Sequence, residues 1–278
     1  MANPEVQLAD ALEGLEDDFL VVVTGAGISA ASGIPTFRGA EPDAIWKRDP
    51  VELATYRYFR EDPVGSWRWF MSRFATLVGA RPNPAHVALT AIERWQLERG
   101  GRYLLVTQNI DTLHEQAGAR EMVKVHGTSD RARCPRTGCR HGAPRGSLPR
   151  DAFSMDPFVA EPSLDTLPRC PECGDVLRPH VLWFDEYYDQ HQDYQWSRVQ
   201  DAAYGMSFVL FVGTSFSVGV TDMFLRGALG AGVPACSIDP AGVALPYSGV
   251  EVLAAKAEEL LPAACERLGL GVDSAPEP

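Results

Sequence analysis

A chain of 278 residues with 45% hydrophobic content can bury one large core, or one core and a smaller satellite. Its 25 basic against 37 acidic residues give a net charge of −12, which excludes a general nucleic-acid-binding surface and favours basic partners such as protein tails. No stretch approaches the roughly 20 apolar residues of a membrane helix, and the opening residues lack the basic and apolar regions of a secretory leader. A monomer in the cytoplasm, away from membranes, is expected.

Residues 7–17 read as an amphipathic helix. FLVVVTGAGIS then reads as a short buried strand that breaks into a glycine turn, with a helix from near Ser29. Between 41 and 82, Trp46, Tyr56, Tyr58, Phe59, Trp67, Trp69, Phe70 and Phe74 recur at roughly helical spacing and predict a helical subdomain. Pro82 and Pro84 introduce the helix AHVALTAIERWQLERG, closed by Gly100 and Gly101. RYLLVTQNID is a second buried strand running into a loop, and EMVKVHG a third.

Residues 132–179 carry four cysteines, many prolines and little periodicity, the composition of a loop-rich insertion that needs a staple. VLWF begins the return, MSFVLFVGTS and VPACSID are the fourth and fifth buried strands, and AAKAEELLPAACERL is a closing helix. Strands alternating with helices predict an α/β fold. Its Rossmann-like parallel-sheet domain is expected from 1–40, 83–131 and 180–278, with a helical subdomain at 41–82 and an inserted zinc-binding module at 132–179.

Gly25 and Gly27, directly after the first strand, permit the tight turn and close backbone approach that a pyrophosphate needs, with free amides of the following helix turned to the anion. The third glycine is Gly33, so the dehydrogenase spacing is not met and simple hydride transfer is disfavoured. Thr36, Phe37 and Arg38 follow in a loop that can cover a bound nucleotide; an ordinary strand, turn and helix with a buried phenylalanine is the alternative. Gln108, Asn109, Ile110 and Asp111 end the second strand with three polar side chains that packing does not explain, unless Asp111 merely caps the next helix. His114 reads as a helix-surface residue. His126, before Gly127 at the end of the third strand, has a ring suited by its near-neutral pKa to proton abstraction from a sugar hydroxyl.

Four of the six cysteines form two close pairs, Cys134 with Cys139 and Cys170 with Cys173. In a reducing compartment this favours metal over disulfides, and four thiolates make a closed tetrahedral zinc site without an open position.

Taken in order, GAGIS, GIPTFR, TQNID, HG, the two cysteine pairs and GTS resemble the sirtuin family, from about Leu20 to Leu261. The resemblance implies an NAD-dependent protein-lysine deacylase. In it Gly25, Ala26, Gly27, Ser29, Thr36, Phe37, Arg38, Gln108, Asn109, Ile110 and Asp111 contact NAD⁺, Gly213, Thr214, Ser215 and Asp239 hold its adenosine half, and His126 is the base, with Asn109 also in the catalytic set. The acyl-lysine carbonyl attacks C1′ as nicotinamide leaves, so NAD⁺ is a consumed co-substrate, while one structural zinc ion sits on the cysteines. Val181, Leu182, Trp183 and Phe184 match the stretch that pairs edge-on with substrate backbone. Asp239 stands where an asparagine is common, and its charge opposes nearby phosphates.

Within the family the sequence looks most like the branch that removes acidic acyl groups. There a tyrosine and an arginine three residues later bind a succinyl or malonyl carboxylate; here the pair is Phe70 and Arg73, beside a small Ala40 that leaves pocket room. The expected substrates are acetyl-lysine proteins, with succinyl- and malonyl-lysine as candidates through Arg73. Two competing readings are transfer of ADP-ribose to protein or plain NAD⁺ hydrolysis, and a non-catalytic NAD⁺-sensing module.

Overall fold

The computed structural model describes residues 3–36, 51–216, 219–242 and 249–272. The chain opens with α1 (Pro4–Glu13) and β1 (Phe19–Thr24), then a 3₁₀ stretch, Ala26–Ser32. A 3₁₀ turn at Val51–Ala54, α2 (Tyr56–Glu61) and α3 (Pro63–Phe74) lead to α4 (Pro84–Glu98), β2 (Arg102–Thr107), α5 (Leu113–Gln116) and β3 (Met122–Lys124). β4 (Gly127–Arg133), β5 (Leu148–Pro149), α6 (Asp156–Ala160) and β6 (Arg178–Val181) follow. The chain then runs through α7 (Trp196–Gly205), β7 (Phe208–Val212), α8 (Gly219–Ala231), β8 (Ala235–Ile238), β9 (Val250–Leu253) and α9 (Ala257–Arg267).

Six strands form one sheet in the order β3-β2-β1-β7-β8-β9, every neighbouring pair parallel. β1 is central and the chain's direction across the sheet reverses beside it, so the switch point lies between the carboxyl ends of β1 and β7, where such sheets bind ligands. Period-two alternation feeds both faces. Leu20, Val22, Leu105, Leu210 and Val212 pack with α1, α4 and α9 on one side; Val21, Val23, Leu104, Val209 and Phe211 pack with α7 and α8 on the other. The α/β Rossmann-like class is as expected. The first helix starts and ends earlier than 7–17, and β9 was not expected, because its VEVL segment is short and half-exposed.

A second, three-stranded sheet runs β5-β4-β6, with both pairings antiparallel. The segment expected to begin the return to the first sheet, around Val181, instead pairs here: Val181 lies opposite Gly127. Aromatics of the helical segment supply its core, since Phe59, Trp67 and Phe70 pack with Met155, Phe158, Leu177 and Trp183. Local capping explains where those helices begin. Thr55 accepts from the Tyr58 amide at 3.1 Å, and Asp62 from the Gly65 amide at 2.8 Å with Pro63 behind it.

Glu186 ties this second layer together. Its carboxylate receives Arg133 Nη2 from β4 at 2.9 Å, both terminal nitrogens of Arg178 from β6, and the Trp183 amide at 3.0 Å. Burial alone would raise its pKa, but the hydrogen bonds and charge of Arg178 and Arg133 win and hold it below the ordinary value. The Arg178 guanidinium also lies 3.7 Å from the Trp183 ring centroid, a stacked cation in a buried setting.

Candidate functional site

The backbone at the switch point is drawn together by glycine. Gly213 has φ +60, and a Cβ there would stand 2.3 Å from the Ile28 nitrogen; one on Gly27 would stand 2.7 Å from the Gly213 Cα. Gly25 and Gly27 form the tight turn expected of them, and their amides donate to the carbonyls of Val212 and Gly213 at 3.1 and 2.9 Å. Ala26 and Ser29 are left to line the adjoining cavity. The helix expected from Ser29 is the 3₁₀ stretch, held against α4 because Asn83, the α4 N-cap, donates to the Ile28 carbonyl at 2.7 Å and to Ser32 Oγ at 3.0 Å.

Asn109 and Gln108 join this turn to the end of β2. Asn109 Nδ2 donates to the Gly25 carbonyl and to Ser29 Oγ, each at 3.1 Å, and Ser29 Oγ donates to Asp111 Oδ2 at 3.0 Å. Gln108 Nε2 donates to the Thr24 carbonyl and to Thr214 Oγ1, each at 3.3 Å, bringing in the loop after β7. Asp111 also accepts from the Leu113 amide at 3.1 Å, so it holds the turn that enters α5 and lines the cavity at once. Burial raises its pKa, while the Leu113 amide, Ser29 and Lys124 oppose the rise. Lys124, on β3, donates to the Asp111 carbonyl, to Glu115 and to Thr128. The cavity is lined by Ala26, Ser29, Ile34, Asn109, Asp111 and, from the end of α3, Arg73.

His126 lies in the turn between β3 of the first sheet and β4 of the second. Gly127 has φ +76, and a Cβ on it would meet the His180 carbonyl at 2.2 Å, so only glycine lets the chain pass from one sheet to the other here. Nδ1 of His126 is 2.8 Å from the Gln108 carbonyl and Nε2 is 3.3 Å from the Tyr188 hydroxyl. A carbonyl only accepts, so the ring proton belongs on Nδ1 and Nε2 keeps its lone pair. Burial lowers the His126 pKa to about 4, below the near-neutral value expected from the sequence, with the Gln108 carbonyl opposing, so the ring is neutral at neutral pH and keeps a free lone pair on Nε2.

His114 corrects the sequence reading. It is buried, not on the surface: Nε2 lies 3.1 Å from Thr24 Oγ1 and its ring centroid 4.8 Å from that of His86. α5 lies against α4 and the end of β1, which places His114 between His86 and Thr24. Burial lowers both pKa values, that of His86 to about 4. Tyr188, Thr24 and Lys124 were not foreseen either. Tyr188 sits in the acidic, aperiodic segment DEYYDQ, which carries no sequence signal for a site.

Other expected residues fall elsewhere. Phe37, Arg38 and Ala40 lie outside the described residues, and Thr36 is half-buried at the edge of them. Phe70 is buried edge-on against Trp67 at 5.9 Å in the core of the second layer, while Arg73 one turn later reaches the cavity. Ser215 is exposed, and Asp239, at the end of β8, accepts from the Ala241 amide at 2.8 Å. In the stretch expected to pair with a substrate strand, three amides have partners within the chain. Leu182 donates to the His126 carbonyl at 2.9 Å, Phe184 to the Ala54 carbonyl at 3.1 Å and Trp183 to Glu186. Trp183 is buried; Phe184 is exposed.

The four cysteines expected to bind metal converge. Sulfur separations are 3.5 Å for Cys134 to Cys173, 3.6 Å for Cys139 to Cys170 and 3.9 Å for Cys139 to Cys173. A tetrahedron with zinc–sulfur bonds of about 2.3 Å has edges of about 3.8 Å, so the set fits zinc and is closed to a further ligand. His180, His191 and Asp193 gather in a second group. There His180 Nε2 meets Asp193 Oδ2 at 3.0 Å, His191 bonds the Gly146 carbonyl at 3.1 Å, and the charge of Arg133 bears on both imidazoles, which opposes a cation.

Comparison with known proteins gives one answer. A family model described as Sir2 family matches residues 25–220. The chain is 40% identical over 236 residues to an NAD-dependent protein deacylase of Thermus thermophilus, covering 84% of each chain. It is 37% identical to NAD-dependent protein deacylase 2 of Pyrobaculum aerophilum, over 89% of this chain and 90% of that one. Among solved structures, a Sir2 homolog in complex with NAD superposes with a TM-score of 0.73 at 32% identity, covering 93% of this chain and 94% of the other.

Proposed function

The chain belongs to the Sir2 family, and from that premise we propose that it removes acyl groups from protein lysines at the expense of NAD⁺, giving nicotinamide, O-acyl-ADP-ribose and free lysine. The observation that carries this reading is the hydrogen-bonded path from Asp111 through Ser29 and Asn109 to Gly25, and from Gly25's strand through Gln108 to His126. It gathers the ends of β1, β2 and β3, with Thr214 from the end of β7, around one cleft at the switch point. The polar lining of that cleft suits a dinucleotide with a sugar to be deprotonated.

NAD⁺ supplies the glycosidic bond that breaks and the ribose that receives the acyl group. The protein's part is positional and basic. Asn109, Ser29 and Asp111 hold the nicotinamide half, and Nε2 of His126 takes the proton of a ribose hydroxyl, its ring fixed by the Gln108 carbonyl. Thr214 and Gly213 face the adenosine half, while Asp239 is already engaged by its own turn. The four cysteines hold one structural zinc ion that orders the second layer and takes no part in chemistry. The proposed division keeps 132–179 as the zinc module and 41–82 as its helical partner, with β4 and β6 as the strands that bind it to the sheet domain.

For the acyl group, the proposed substrate is acetyl-lysine, with succinyl-lysine accepted through Arg73. The placement of Arg73 on the cavity supports a carboxylate partner, and the burial of Phe70 supports a missing phenol contact, worth about 1.5–3 kcal/mol to a charged group. Nicotinamide release and O-acyl-ADP-ribose, followed by mass spectrometry over a panel of acyl peptides, test both levels. His126→Ala is expected to lose roughly 100- to 10,000-fold in kcat. Arg73→Met is expected to lose succinyl turnover roughly tenfold with acetyl turnover retained, and equal losses on both substrates contradict the carboxylate role. Free ADP-ribose or modified protein as the main product would indicate the hydrolase or transferase reading. NAD⁺ binding without nicotinamide release would indicate a sensing module.

A further inference from the structure

Tyr188 is the second hydrogen-bond partner of the imidazole, and the reaction proposed above has no need of it. Its hydroxyl is 3.3 Å from Nε2 of His126, and its ring centroid is 5.9 Å from the imidazole's at an inclination of 22°. Trp196 backs the phenol at 4.4 Å and 14°, so the aromatic stack runs from α7 through Tyr188 to His126. The phenol follows β6 closely in the chain, in the 3₁₀ turn Tyr188–Gln190, and packs against the core of the parallel sheet. One short segment therefore reaches from the second layer into the first.

The proton inventory gives this contact a direction. Nδ1 carries the ring proton because the Gln108 carbonyl can only accept, so Nε2 offers one lone pair and the phenol donates to it. That lone pair is the one a ribose hydroxyl must reach. A single lone pair takes one proton donor well, so in the free protein Tyr188 occupies the place of the substrate hydroxyl.

We propose that Tyr188 is a positioning residue for His126: its ring fixes the imidazole plane, and its hydroxyl occupies Nε2 until a ribose hydroxyl displaces it. The proposal rests on the deacylase reading. Removing the hydroxyl while keeping the ring deletes a competitor of NAD⁺, whereas removing the ring frees the imidazole to tilt.

The test uses the full chain as wild type, Tyr188→Phe and Tyr188→Leu. Nicotinamide release is measured at saturating acetyl-lysine peptide with NAD⁺ varied, and the side-chain ¹⁵N resonances of histidine are recorded without NAD⁺, His126→Ala supplying the assignment. Tyr188→Phe is expected to lower the KM for NAD⁺ roughly 3- to 10-fold while retaining kcat, the span of one ordinary hydrogen bond. Its Nε2 resonance should move toward that of a nitrogen without a donor. Tyr188→Leu is expected to lower kcat roughly tenfold through misplacement of the base. An unchanged KM together with an unmoved resonance in Tyr188→Phe overturns the role of the hydroxyl, and a kcat in Tyr188→Leu equal to that of Tyr188→Phe overturns the role of the ring. If Tyr188→Leu does not fold, Tyr188→Phe decides the role of the hydroxyl and Trp196→Leu, which removes the support of the ring, decides that of the ring by the same drop in kcat, an unchanged kcat overturning it. If the wild type releases no nicotinamide, the deacylase reading fails, and the ¹⁵N shift still tests the contact between Tyr188 and His126.

Discussion

In the parallel sheet, β1 is buried from Leu20 to Thr24 and β7 along its whole length, with apolar side chains alternating between two helical layers. In the three-stranded sheet, β5 is only two residues long, β4 is bulged against β6, and the buried groups include Arg133, Arg178, His180 and Glu186. The first layer is stabilised chiefly by the apolar area its strands and helices bury together. The second has too little of that area, so ion pairs, aromatic stacking and four convergent thiolates carry its order. The site lies where they meet: His126 occupies the turn that leaves one sheet and enters the other.

Removal of zinc should separate the two layers most sharply, since structural zinc is worth about 10–16 kcal/mol in small zinc-dependent folds. Chelation, or Cys173→Ser, is expected to abolish amide-exchange protection across β4, β5 and β6 while β1, β2 and β7 keep theirs. Simultaneous loss in both layers would show that the parallel sheet depends on the module.

Next in size is Glu186→Ala, which leaves two buried guanidinium groups around an absent carboxylate and should cost about 3–5 kcal/mol. Its counterpart in the first layer, Leu210→Ala in β7, removes apolar volume and should cost about 2–5 kcal/mol. Amide-exchange protection of β4 and β6 against that of β1 and β7, followed through denaturant unfolding, separates them. The glutamate variant should lose protection in β4 and β6 first, whereas the leucine variant should lose it in both layers together.

Group for group, the smallest effect is that of acid. His86 is fully buried and its pKa falls from 6.5 to about 4 on folding. The unfolded chain then binds more protons than the native one between those values, so stability is complete above pH 6.5 and declines as pH falls toward 4. At pH 5 His86 alone should lower stability by about 2 kcal/mol. His180 is lowered to about 4 by burial as well, so the second layer should weaken in the same window. Urea midpoints at pH 7.5 and 5 check this, and a midpoint that rises on acidification would contradict it.

The sequence alone determined the strands with a continuous apolar run at their centre, FLVVVT, RYLLVT and FVLFV, because a strand buried on both faces has that composition. It also determined the cysteine set and the polar runs at strand ends, since those residue types have few other reasons to stand there. Tertiary structure decided what depends on partners distant in the chain. Gly25 and Gly27 are glycines because Gly213, far along the chain, packs against them, and their amides are spent on the carbonyls of Val212 and Gly213. His114 and His86 share a buried space that neither helix reveals by itself. Phe70 turned into the aromatic core and Arg73 to the cavity, a choice made by the rotation of α3 against β6. Tyr188 reached His126 through an aperiodic segment whose path is set by the two layers it bridges. Local composition fixes which segments must be buried; only packing fixes which of their polar atoms meet.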